Sequence, residues 1–241
     1  LISAAVFAAA VASAVAADLP VRTYTKAPAL AAPYDWSGFY IGANAGYGSS
    51  RLNWFFTNDL VTPGPAADEG PHRATGALAG GQIGYNWQMA SWVVGIEAQG
   101  DWAGLSGSNV SAFFAPIVNR TRIDAIGLFT GKLGYAWSNS LLYVKGGAAV
   151  SRNRYDFFVT STGTASPESR WGGVVGAGFE YGLTPNWSLG VEYNHAFLGS
   201  RNIAFVQSNP FSLPFDDISQ NLDMVTLRVN YRFGGPIVAR Y

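Results

Sequence analysis

The chain has 241 residues, enough for one substantial domain, and its Lys plus Arg and its Asp plus Glu both number 15, so its formal charge is zero. That balance excludes the basic footprint of a nucleic-acid binder and the acidic excess of a disordered chain, and zero cysteines exclude disulfides, thiolate metal sites and a cysteine nucleophile. Charged residues, at 12%, are about half the usual share, while aromatics at 15% and 29 glycines run high.

Residues 1–17 are apolar and alanine-rich and are expected to be a secretory signal peptide truncated at its start, with Ala14 to Ala16 as an A-x-A cleavage site. Residues 18–33 read as an extended Pro/Ala-rich periplasmic linker. Past the N-terminus no apolar run approaches the ~20 residues of a membrane helix. From Trp36 onward eight runs alternate with period two, near 37–49, 75–87, 92–103, 122–137, 141–152, 171–182, 187–198 and 223–233. Three short links join them, Trp87 to Trp92, Trp137 to Leu141 and Tyr181 to Trp187. Long polar connections near 50–74, 104–121, 153–170 and 199–222 separate the rest. Short and long alternate as in a transmembrane β-barrel with short periplasmic turns and long extracellular loops. The expected fold is therefore all-β, an eight-stranded antiparallel up-and-down transmembrane barrel over residues 34–233, with 234–241 as a tail.

One face of each run is aliphatic and aromatic, for example Phe39, Ile41 and Tyr47, or Trp187, Leu189, Val191 and Tyr193. This face is expected to be free of Asp, Glu, Lys and Arg, because one Arg or Lys at the bilayer midplane costs about 2–4 kcal/mol. The other face carries Glu97, Asp101, Asp124, Glu180 and Glu192 with Lys132, Lys145, Arg228 and Arg232. These charges are expected to form a mutually paired lumen network, since a buried charge without a partner is strongly destabilising. A soluble sandwich or lipocalin would instead turn its apolar face inward. Trp36, Trp87, Trp92, Trp137, Trp187 and Phe233 are expected to form an aromatic girdle at the short-turn edge, and Trp102 and Trp171, with Tyr47 and Phe197, one at the other.

The stretch Tyr34 to Gly48 and the ending Leu227 to Phe233 resemble the small outer-membrane immunogenic, or opacity-like porin, family of alphaproteobacteria, over roughly residues 34–241. The resemblance implies an eight-stranded outer-membrane barrel with antigenic surface loops. Some members of that family are described as haem-binding or as porins, with no motif to match here. It leaves open whether Phe233 or Tyr241 is read by the outer-membrane assembly machinery.

Chemistry is sparse. His72 lies in the first long connection, where it reads as a solvated loop residue; as a haem or metal ligand it is a weak candidate with no second ligand at a recognisable spacing. His195 falls on the outward face. A hydrolase built from it with Ser200 and Glu192 conflicts with the inward parity of Glu192. No catalytic residue, metal or cofactor is assigned, and no enzymatic activity is expected. An eight-stranded barrel is just wide enough to be filled by side chains, so the interior charges read as structural rather than as a relay. Trp54, Phe55 and Phe56, Phe113 and Phe114, Phe157 and Phe158, and Phe205, Phe211 and Phe215 are expected to pack along hairpins extended above the membrane. The reading is a monomeric structural and surface-interacting barrel; the alternative is a narrow porin-like channel or haem-binding receptor. Expected partners are outer-membrane lipids and lipopolysaccharide, the assembly machinery, and a host or extracellular ligand at the loops.

Overall fold

The computed structural model describes residues 34–59, 67–112, 117–158, 162–164, 167–204, 206–207 and 214–233. The expected signal peptide, linker and C-terminal tail, Tyr241 included, lie outside them. Among the described residues there are ten strands: β1 (Gly38–Asp59), β2 (Ala67–Met89), β3 (Trp92–Val110), β4 (Val118–Trp137), β5 (Ser140–Phe158), β6 (Thr162–Thr164), β7 (Glu168–Thr184), β8 (Trp187–Ala204), β9 (Val206–Gln207) and β10 (Pro214–Phe233). The order β4-β3-β2-β1-β10-β8-β7-β5 closes on itself through β4–β5, so eight antiparallel strands form a barrel. The short β6 and β9 extend the sheet beyond β5.

The register gives the barrel its geometry. A row of paired residues runs Phe39, Tyr85, Ile96, Gly131, Gly146, Val175, His195, Asp223 and returns to β1 at Ser49, ten residues further along. Eight strands with that offset tilt by about 35–45°. Each residue then climbs about 2.4 Å along the barrel axis, and the ten residues from Phe39 to Ser49 cross an apolar band about 25 Å tall.

Two of the short links are two-residue turns whose first residue takes a left-handed conformation, Ala90 with φ 54° and Ser138 with φ 52°. Such tight turns match the twist of the strands they join. At the other end the strands run far past the expected runs. The long connections are largely two-stranded hairpins, as β1 pairs β2 out to Phe56 and Ala67, and β3 pairs β4 out to Val110 and Val118. The side chains of Phe113, Phe114, Phe157, Phe158, Phe205, Phe211 and Phe215 lie outside the described residues.

Burial alternates along every barrel strand, but with the apolar residues outward. Ile41, Ile83, Ile96, Phe129, Leu133, Val144, Leu189 and Leu227 are all exposed, while Arg228 and Lys145 are buried. Such a surface is stable only against hydrocarbon. The charge-free expectation fails at the upper margin: Arg122 and Arg152, inside the expected runs, are exposed, and Asp223 stands on the outward face at the upper end of the band, where it accepts a hydrogen bond from Tyr193 Oη at 2.6 Å and pairs with His195 Nδ1 at 2.7 Å.

Candidate functional site

From the short-turn end upward the interior is filled in layers. The lowest is a plug of Tyr34, Trp36, Val93, Ala136, Leu141 and Tyr143. Trp36, expected in the lipid-facing girdle, is therefore a correction: it is 2% exposed and packs against Tyr34 with ring centroids 4.4 Å apart. It precedes β1, so strand parity does not govern it, and its backbone N–H is held by Gln88 Oε1 at 2.7 Å. Arg232 caps this layer, donating to the carbonyls of Ser37 (2.9 Å) and Pro185 (2.7 Å) and lying over the Tyr34 ring. Trp87, Trp92, Trp137, Trp187 and Phe233 point outward at this end, and Trp102 and Trp171 at the other.

Above the plug lies the charge layer. Glu97 and Glu192 are bridged twice, by Arg228, which binds both carboxylates, and by Lys145, whose Nζ sits 3.0 Å from Glu97 Oε1 and 2.7 Å from Glu192 Oε1. Signs alternate around this ring of four. Tyr143 Oη donates to Glu192 Oε2 at 2.6 Å and accepts from Arg228, and Tyr40 Oη donates to Glu97 Oε2 at 2.6 Å while accepting from Lys132 at 3.0 Å. Lys132 also faces Glu180 at 3.9 Å. Three carboxylates thus meet three cations with no net charge. Desolvating ions is costly, and only such neutral, hydrogen-bonded arrangements offset it.

Next comes an amide layer, in which Asn44 donates to Gln82 (2.9 Å), Gln82 to Asn230 (2.7 Å) and Gln99 to Asp101 (2.8 Å). Asp101 belongs here, buried but outside the ion-paired ring. Asp124 is a second correction. A bulge between Ile123 and Ala125 against β5 adds one residue and breaks the parity that placed Asp124 inside. It is part-exposed and pairs instead with Arg154 Nε at 2.9 Å. An apolar layer follows, including Leu52, Leu78, Leu105, Leu128, Leu222 and Met224.

Two groupings at the hairpin end lie beyond what alternation revealed. Arg170, fully buried, donates to Tyr155 Oη (3.1 Å), Gln220 Oε1 (3.2 Å) and the carbonyls of Gly199 (3.1 Å) and Ile218 (2.5 Å). Above it His72, expected as a solvated loop residue, is buried on β2 inside the hairpin extension, which is the third correction. Its Nε2 lies 3.0 Å from Thr121 Oγ1 and its ring packs on Trp54. Burial pulls the His72 pKa down to about 4. Glu69, whose carboxylate accepts from Asn119 Nδ2 at 2.6 Å, is pushed up by burial. Burial, then the nearby Glu69 charge, pushes Asp216 up to about 8. At the outer face, His195 pairs with Asp223, while Glu192 points into the lumen on the opposite side of β8. Ser200, His195 and Glu192 therefore share no site.

The chain matches the profile described as "Outer membrane protein beta-barrel domain" over residues 2–233. It is 32% identical over 233 residues to the 31 kDa outer-membrane immunogenic protein of Brucella melitensis, covering 92% of this chain and 94% of that one. It is 30% identical over 189 residues to a 22 kDa outer membrane protein of Rhizobium leguminosarum, covering 78% and 75%. Among solved structures, the outer membrane protease OmpT of Escherichia coli superimposes with a TM-score of 0.50 at 10% identity, covering 84% of this chain and 99% of that one, a likeness of fold alone. An outward apolar face, a neutral buried charge ring and a Brucella relative aligned almost end to end agree: the chain belongs to the outer membrane protein β-barrel domain family and resides in the outer membrane of Gram-negative bacteria.

Proposed function

We propose that this protein is a closed outer-membrane anchor that stabilises the envelope and presents its hairpins at the cell surface, with no catalytic role. The observation that carries the reading is the stack of buried layers from Trp36 to Arg170, which leaves the hairpin ends as the parts free to meet anything outside. Short turns face the periplasm in barrels of this kind, so the hairpins of β1–β2, β3–β4, β5–β7 and β8–β10 face outward. The immunogenic Brucella relative supports surface display. A haem-receptor role draws no support from His72, whose Nε2 is engaged by Thr121 in a buried pocket.

The chain has no native cysteine, so single-cysteine labelling is clean. With a membrane-impermeant maleimide on intact cells, Ser108→Cys on β3 labels and Ser138→Cys in a short turn labels only after lysis. The reverse pattern overturns the orientation.

A further inference from the structure

Just past the upper aromatic collar the outer surface carries arginines set directly against one another. Arg51 on β1 is the cross-strand partner of Arg73 on β2, and Arg122 on β4 is the partner of Arg154 on β5. All four are exposed between buried neighbours, so their side chains leave the barrel wall rather than enter it. Like charges directly opposite are destabilising. Arg154 is relieved by Asp124, but Arg51, Arg73, Arg122 and the neighbouring exposed Arg152 have no ion pair among the described residues. Between the two pairs β3 presents Ser106, in register with both Thr75 and Arg122. Its small side chain leaves the flanking arginines room to converge on one ligand.

The opposite arc is different. There Arg201 meets Glu168 at 3.2 Å and His195 meets Asp223 at 2.7 Å. Asp223, on β10 beside β1, also interacts electrostatically with Arg51, so among the described residues the uncompensated charge centres on Arg73, Arg122 and Arg152.

Height identifies the ligand. Following the tilt from Ser49 around the barrel, these arginines stand one to three residues beyond the apolar band, about 2–7 Å at about 2.4 Å per residue. Tyr47 and Trp102, exposed by 57% and 79%, lie on the same arc below them. That is the headgroup level of the lipid around the barrel, where aromatic rings mark the interface. The planar guanidinium matches phosphate oxygens in bidentate fashion.

We propose that this arc is a binding site for the phosphates of an outer-leaflet glycolipid of the lipid A type, with Arg51 and Arg73 holding one phosphate and Arg122 and Arg152 a second. The bound phosphates neutralise arginines that have no ion pair among the described residues. The site rests on the orientation proposed above, yet binding in detergent micelles does not depend on orientation, so the two can fail separately.

The test uses the full chain refolded in zwitterionic micelles and titrated with bisphosphorylated lipid A, with the same lipid stripped of its phosphates, and with inorganic phosphate. Bisphosphorylated lipid A is expected to bind at least tenfold more tightly than either of the others. The Arg51→Gln/Arg73→Gln variant loses at least tenfold in that affinity, as does Arg122→Gln/Arg152→Gln, while Arg201→Gln binds as the parent does. Equal affinity for the stripped lipid, or unchanged affinity in both double variants, overturns the proposal; inorganic phosphate binding as tightly as lipid A overturns the assignment to a lipid. Heat-modifiable gel mobility reports folding of each variant. Because the substitutions relieve repulsion, their denaturation midpoints without lipid are expected to equal or exceed that of the parent, and a lower midpoint counts against unpartnered arginines.

Discussion

Replacing Arg228 by Met removes the guanidinium that joins Glu97, Glu192 and Tyr143 while keeping a long side chain in the same space. The layer then holds Glu97, Glu180 and Glu192 against Lys132 and Lys145 alone, one buried negative charge in excess. Breaking a fully buried pair in this way costs about 3–5 kcal/mol, a large part of a typical folding free energy. Adding Glu192→Gln restores neutrality, so Arg228→Met/Glu192→Gln is expected to be less destabilised than the sum of its single variants, with a coupling of about 0.5–3 kcal/mol. Urea unfolding from lipid bilayers, followed by tryptophan fluorescence, gives each free energy. Arg228→Met within about 1 kcal/mol of the parent, or strictly additive variants, would refute the closed charge ring.

Leu227→Arg places a cation near the midplane of the lipid-facing wall and is expected to cost about 2–4 kcal/mol in the same assay, against about 0–1 kcal/mol for a charge placed near the interface; a small cost at Leu227 would move the membrane away from this band. Gly178→Ala would set a Cβ 2.4 Å from the Tyr143 ring and hydroxyl, whereas Gly100 has nothing within 4 Å of that position. The first is expected to lose about 1–3 kcal/mol and the second to stay within about 0.5 kcal/mol, and equal costs would contradict the inward placement of Tyr143. At the hairpin end, Asp216 binds its proton more tightly folded than unfolded, so its contribution to stability is present at low pH and is lost as pH rises from about 4 to about 8. His72 acts in the opposite sense, losing its contribution as pH falls from about 6.5 to about 4. The two offset each other below about pH 6.5. Amide exchange in this end is therefore expected to quicken between pH 6.5 and 8 beyond its intrinsic rate, and Asp216→Asn to abolish the change; an unaltered profile in that variant would remove Asp216 from the account.

Period-two alternation carried most of the barrel, because both sides of each strand in the membrane are constrained, one by hydrocarbon and one by a crowded lumen. It placed Glu97, Lys132, Lys145, Glu180, Glu192 and Arg228 on the lumen side, where they are buried. It failed where its assumptions lapse. Asp124 was misplaced by a bulge that no local residue pattern signals. Trp36 lies ahead of the first strand and folds back under the barrel. His72 was hidden because the inward residues of its own strand there, Ala67, Glu69, His72 and Ala74, are small or polar, and an irregularity in the pairing with β1 shifts their parity. The Arg170 network escaped because its acceptors Tyr155 and Gln220 and the Gly199 and Ile218 carbonyls come from three other strands, which only the register brings together. The facing arginines were legible only after the register was known.

The central claim is that packed side chains close the lumen. Purified protein refolded into planar lipid bilayers is expected to give no stepwise conductance at any applied voltage that the bilayer itself withstands. Reproducible unitary steps from the intact barrel would contradict the account, which rests on the buried layers from Trp36 to Arg170.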